Sequence, residues 1–144
     1  MCGDPYPNHT GAVSDKRKIL KQMKMGTTEF LVLVVLNEKD RYGYEITREI
    51  HDRSDGFFEF KQGFLYPALR RMEGEELITG YWRRSDSGGP DRKYYKLTAE
   101  GVTRLGAFIE AWSDFSSQID RLLTTTVGYS PRGQARSSTS AGSR

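Results

Sequence analysis

Residues 62–97 read QGFLYPALRRMEGEELITGYWRRSDSGGPDRKYYKL, and this stretch decides the fold. Leu65, Leu69 and Met72 recur at i, i+4 and i+7, the spacing that gathers side chains on one face of an α-helix. A helix is expected to start near Gln62 or Gly63, with Pro67 tolerable only if it falls in the first turn and Gly74 fraying its end. From Leu77 to Trp82 the composition changes to that of a strand, whose partner is Lys93 to Leu97. Between them, Ser85-Asp86-Ser87-Gly88-Gly89-Pro90-Asp91 has the makeup of a turn. A helix followed by a two-stranded hairpin is the second half of a winged helix.

The first half lies upstream. Tyr42 to about Asp52 reads as a short amphipathic helix with Tyr44 or Ile46, and Ile50, inward, closed by Ser54-Asp55-Gly56. Phe30 to Leu36 is uniformly apolar and β-branched enough to pass for a strand. Thr27 or Thr28 as cap, with Glu29 in the first turn, favours a buried helix. A basic helix from Ser14 or Asp15 to about Met25 sets Ile19, Leu20 and Met23 on one side and most of its lysines on the other. That apolar side needs something to lean on.

Downstream, Thr98 caps a helix running to about Leu123. Val102, Leu105, Ile109, Trp112, Ile119 and Leu123 fall on alternating three- and four-residue steps broken at Ser116, and Phe108, Phe115 and Leu122 form a stripe beside them. About 26 residues make a rod near ~39 Å, longer than a three-helix domain covers, so the stripe calls for a second subunit. The expected class is mainly α (α+β): a winged helix-turn-helix domain over 14–97 and a dimerisation helix over 98–127. Residues 1–13 and 128–144 lack an apolar period and are expected to be disordered.

Composition narrows the function. The 144 residues include one cysteine, Cys2, and two histidines, His9 and His51, with no phosphate loop, metal-ligand spacing or nucleophile motif. Neither catalysis, cofactor nor metal is expected. The longest apolar run, seven residues, is far short of a membrane span, so a cytoplasmic protein is expected. The net charge of +3 equals the three arginines of the tail from Ser130, so distribution matters more than total. Residues 1–24 hold five bases against two acids and 61–97 eight against five, whereas 25–60 hold four against eight. One surface built to meet a polyanion gives such a pattern.

With Leu65, Leu69 and Met72 inward, the 62–74 helix offers Gln62, Tyr66 and Arg70, flanked by Lys61 and Arg71, to a groove that admits one α-helix. Arginine forks onto guanine and glutamine pairs with adenine, while lysine and tyrosine hold phosphate. A solvated face with chance arginines is the plainer account, and Tyr66 could be half-buried in the core. The hairpin tips the balance, because Arg83, Arg84, Arg92, Lys93 and Lys96 surround a glycine-rich tip able to reach the adjacent backbone. A winged helix that binds protein is the alternative.

Tyr42-Gly43-Tyr44-Glu45, Gly63 to Glu73, Gly89-Pro90 with Arg92-Lys93-Tyr94-Tyr95, and Leu97-Thr98-Ala99-Glu100-Gly101 resemble the PadR family of bacterial regulators, in order and spacing, over roughly Gly26 to Leu123. The resemblance implies a homodimeric repressor on double-stranded promoter DNA, with the 62–74 helix in the major groove and the 83–93 wing beside it. It adds Tyr42 to the candidate DNA contacts. It also implies that the N-terminal helix packs on the partner's C-terminal helix. Where many members carry a small hydroxyl residue this chain has Phe64, which either packs on a sugar or thymine methyl or turns inward. Trp112 is placed like a tryptophan lining the dimer cavity of multidrug-binding members. It either fills the dimer core or, with Phe108, Phe115, Ile19 and Met23, walls a pocket for a small aromatic effector.

Overall fold

The computed structural model describes residues 9–130. Five helices and three strands follow in the order α1 His9–Met25, α2 Thr28–Glu38, β1 Arg41–Tyr42, α3 Gly43–Arg53, α4 Gln62–Gly74, β2 Ile78–Arg83, β3 Arg92–Leu97 and α5 Ala99–Val127. Two compact units divide at Leu105 and Gly106, inside α5.

The first unit is a winged helix. Its core is the apolar run of α2 (Val32, Leu33, Val35, Leu36) packed among Ile46 and Ile50 of α3, the Leu65, Leu69 and Met72 stripe of α4, and Tyr95 of β3, all buried. The uniformly apolar segment is thus a helix, and it tolerates its β-branched residues because core packing outweighs propensity. Ile46, not Tyr44, points inward; Tyr44 is exposed. Thr27 occupies the cap position of α2, yet its hydroxyl donates backwards to the Lys24 carbonyl at 2.7 Å and makes no capping bond to α2. Helix α1 begins at His9, earlier than Ser14, so residues 9–13 are helical, while 1–8 and the tail from 131 lie outside the described residues.

Two elements differ from expectation. Pro67 is the sixth residue of α4, in its second turn, where it leaves the Gly63 carbonyl without its intrahelical donor. The hairpin also has a third strand. Arg41 and Tyr42 pair with Tyr95 and Tyr94 of β3, which pairs in turn with β2 from Ile78↔Leu97 to Arg83↔Arg92, giving the order β1-β3-β2. Arg41 is buried and satisfied on every side. Its Nε donates to the Val35 carbonyl at 3.1 Å, and its terminal nitrogens reach Glu49 at 3.4 Å and Glu38 at 3.2 Å. Arg53 closes the cluster by pairing with both carboxylates, and this pairing holds the Glu38 carboxyl below its ordinary range.

Helix α4 ends in a Schellman turn with Glu76 in the left-handed region, φ 59°, where glycine is the usual choice. The Leu77 amide donates to the Met72 carbonyl at 2.9 Å and the Glu76 amide to Glu73 at 3.0 Å. Thr98 clamps this turn, its hydroxyl donating to the Glu76 carbonyl at 2.6 Å while accepting from the Gly101 amide at 3.0 Å as the cap of α5. Gly101 packs so closely that a Cβ would lie 2.2 Å from the Leu77 carbonyl oxygen. Leu105, one turn on, is 7% exposed and belongs to this unit's core.

The second unit contains α5 from Gly106 onward. Ile109, Trp112, Phe115, Ile119, Leu122 and Leu123 are exposed along it, and Trp112 lies 6.4 Å from Phe115, ring to ring. At 29 residues, α5 is roughly 43 Å long. Among the described residues, no helix is long and apolar enough to cross a membrane.

Candidate nucleic-acid interface

At 100° per residue, burying Leu65, Ala68, Leu69 and Met72 puts Gly63, Pro67 and Arg70 at the centre of the outward face of α4. Two of these three are short, so the helix backbone itself can approach a groove floor, with Arg70 as the longest reach. Gln62, Tyr66 and Glu73 lean to one flank; Phe64 and Arg71 occupy the other. Lys61 precedes the helix in extended conformation, ψ 145°, and is exposed with Gln62, Arg70 and Arg71.

The Tyr66 flank faces the wing. Tyr42, Tyr66, Arg70, Arg92 and Lys93 line one cleft of about 400 Å³, together with Glu73 and Trp82. Five of the candidate contact residues are therefore gathered in one place. Lys61, Gln62, Phe64, Arg71 and Arg84 lie outside this cleft. Tyr66 is 42% exposed, and its hydroxyl sits over Gly43, where a Cβ would come within 3.1 Å of Oη. A side chain at this first residue of α3 would press on the Tyr66 ring. Phe64 is 47% exposed and stacks on Phe60, centroids 6.1 Å apart at 11°, so it is not turned into the core.

The wing arranges its cations on aromatic rings. Arg92 lies 4.6 Å above the Tyr42 ring and Arg83 5.3 Å above Tyr94. Tyr94 contacts Tyr42 edge-on at 5.4 Å and stacks on Tyr81 at 5.9 Å. Tyr81 donates to Asp40 at 2.6 Å, a bond that pushes its own pKa up. Two arginines are thus held against aromatic rings.

Lys93 is different. Its Nζ is 3.0 Å from Glu73 Oε1, so its charge is already matched by α4. Gly80 makes room for the pair, since a Cβ there would fall 2.4 Å from Lys93 Cε. Beneath it Tyr95 is buried, and burial first, then the nearby Glu73 charge, pushes its phenol up to about 12. It stays neutral at every physiological pH.

Sequence reasoning missed two participants. Trp82 is 69% exposed on the cleft side of the wing; strand alternation placing it on the face of Lys93 was the available signal. Glu73 gave none, because its partner Lys93 comes from another element.

Residues 32–107 match the transcriptional regulator PadR-like family. An uncharacterised protein of Lysinibacillus sphaericus is 37% identical over 95 residues, 66% of this chain and 86% of that protein. The crystal structure of a PadR family transcription regulator from hypervirulent Clostridium difficile matches with TM-score 0.60 and 37% identity, covering 67% of this chain and 98% of that one. A padr family transcriptional regulator from Eggerthella lenta matches with TM-score 0.68 and 26% identity, covering 81% and 98%.

Proposed function

Because the chain belongs to the PadR-like family of transcriptional regulators, DNA-binding proteins and not enzymes, we propose that it is a homodimeric, ligand-responsive repressor of promoter DNA. The observation that carries the DNA footprint is the cleft in which Arg70 and Tyr66 of α4 meet Arg92 and Trp82 of the wing. In this reading Arg70 enters the major groove, with Gln62 beside it, while Arg84, Arg92 and Lys61 hold phosphates to either side. Occupying a promoter in this way is enough to block polymerase.

The exposed stripe of Val102, Ile109, Trp112, Phe115, Ile119 and Leu123 supports dimerisation. An apolar row of this length in water is stabilised by covering it, and a second copy offers the same row. Ile19 and Met23, also exposed, are further dimer contacts in this reading. Trp112, 54% exposed beside Phe115, supports an aromatic effector held between the two copies.

The test is binding to a fluorescent duplex carrying the DNA upstream of the chain's own gene, at two salt concentrations and against a scrambled duplex. Salt-sensitive binding that prefers the upstream sequence is expected. Absence of preference refutes local repression. Sedimentation of Trp112→Ala separates the effector from plain packing: an intact dimer that no longer binds planar aromatics supports a pocket, and dissociation refutes it.

A further inference from the structure

The first turn of α4 carries an apolar group where polar ones are the rule. Phe64 is the third residue of the helix, and among the exposed residues Lys61, Gln62, Gly63 and Phe64 it has the only apolar side chain. Its ring is 47% exposed and braced from behind, because the half-buried Phe60 stacks on it at 6.1 Å and 11°. Phe58 stacks on Phe60 in turn at 6.3 Å, and Phe57 meets Phe58 edge-on at 5.0 Å. Lys24 of α1 ends the ladder, with its Nζ 3.9 Å from the Phe57 ring centre and donating to the Phe57 carbonyl. A ring stacked in this way has fewer rotamers to lose when its open part meets a ligand.

A phenyl ring can neither bond a phosphate nor pair with a polar base edge. The major groove displays one apolar group, the C5-methyl of thymine. Set against guanine, adenine or the amino group of cytosine, the ring would strip water from donors and acceptors and return no bond. We propose that Phe64 reads a thymine methyl, with Phe60 as the residue that positions it, so that the operator requires thymine at one place in each half-site. This deepens, and rests on, the reading in which α4 enters the major groove. Phe64 and Arg70 lie ~9 Å apart along the helix axis, so the thymine falls within about three base-pair steps of the pair that Arg70 contacts. Arg70 selects by hydrogen bonds; Phe64 selects by a methyl group that uracil lacks.

The test scans the upstream duplex with deoxyuridine in place of thymidine, one position at a time, a change that deletes the methyl group and keeps every hydrogen-bonding group. Anisotropy titrations compare the parent chain with Phe64→Ala and Phe60→Leu. One position per half-site should weaken the parent about fourfold, the worth of one buried methyl group. Phe64→Ala should bind the thymine and uracil forms alike. Phe60→Leu should fall between the two, with its affinity for scrambled duplex unchanged; discrimination equal to the parent's would overturn the positioning role of Phe60. A scan in which no position matters overturns the thymine contact. So does a methyl effect that survives Phe64→Ala, which assigns the methyl to another side chain. A Phe64→Ala loss equal on every duplex, thymine or uracil, overturns it too and makes Phe64 a sugar contact. In all of these outcomes the parent still prefers the upstream duplex to the scrambled one. Loss of that preference is a separate result: it removes α4 as the reading helix, and the thymine contact with it.

Discussion

Replacing Glu73 by Gln should make the protein bind DNA more tightly. Glu73 holds Lys93 at 3.0 Å, and both side chains are about a third exposed, 29% and 35%. For Lys93 to reach a phosphate it must leave this partner, at a cost of up to ~1 kcal/mol for a pair so placed. Removing the carboxylate returns that amount, roughly fivefold in Kd at low salt. The freed ammonium also releases counterions when it binds, steepening the slope of log K against log salt by about 0.9. A fourfold rise in salt then cancels about 3.5-fold of the gain, leaving roughly 1.5-fold at ~200 mM salt when ~50 mM gave fivefold. Fluorescence anisotropy on upstream and scrambled duplexes, from ~50 to ~200 mM salt, measures both quantities. The gain should be equal on the two duplexes, because phosphate carries no sequence. The control is Lys93→Met: in that background Glu73→Gln should do nothing, whereas a persisting gain would show that the lost carboxylate merely repelled DNA and would refute the account.

Arg70→Ala should relax preference at one base pair by ~1–3 kcal/mol while sparing random duplex, measured by competition with single-site operator variants. Gly101→Ala forces a methyl group to within 2.2 Å of the Leu77 carbonyl and should destabilise the first unit by about 2–4 kcal/mol in urea unfolding, a loss that Gly106→Ala, with open space around it, should not share. Tyr95 keeps its proton when folded up to about 12 but loses it near the ordinary value of ~10 when unfolded, so the folded state binds more protons between those limits and stability falls as pH rises through them. Thermal melts from pH 9 to 12 should decline less steeply in Tyr95→Phe; identical slopes would assign the alkaline loss elsewhere.

What could be read from the chain beforehand was whatever has a period. The i, i+4, i+7 stripe of α4 and the strand composition of Leu77 to Trp82 and Lys93 to Leu97 located helix and hairpin within a residue or two, and the apolar density of α2 survived its β-branched disguise. Strand β1 could not be read, since two residues have no period and are made a strand only by Tyr94 and Tyr95 across from them. The burial of Arg41 has no period to betray it either; it is licensed by Glu38 and Glu49, which arrive from the two helices on either side of it. Leu105 shares its spacing with Ile109 and Trp112, and spacing does not say which surface a stripe will meet. The same limit hid the Glu73 partner of Lys93, twenty residues away on another element.

Strand β1 runs into α3 with no residue to spare, Tyr42 ending the one and Gly43 beginning the other. The wing is therefore bolted to the helix-turn-helix, where many hairpins would hang from a slack loop. On the proposed footprint, α4 and the wing form one stamp with a fixed distance between its two marks. Inserting a single base pair between the DNA segments they touch turns one mark away by roughly 36° around the duplex. A hinged wing could follow that rotation; this one must let go. Operators for this regulator should thus drift freely in the letters between the two contacts and hardly at all in their number.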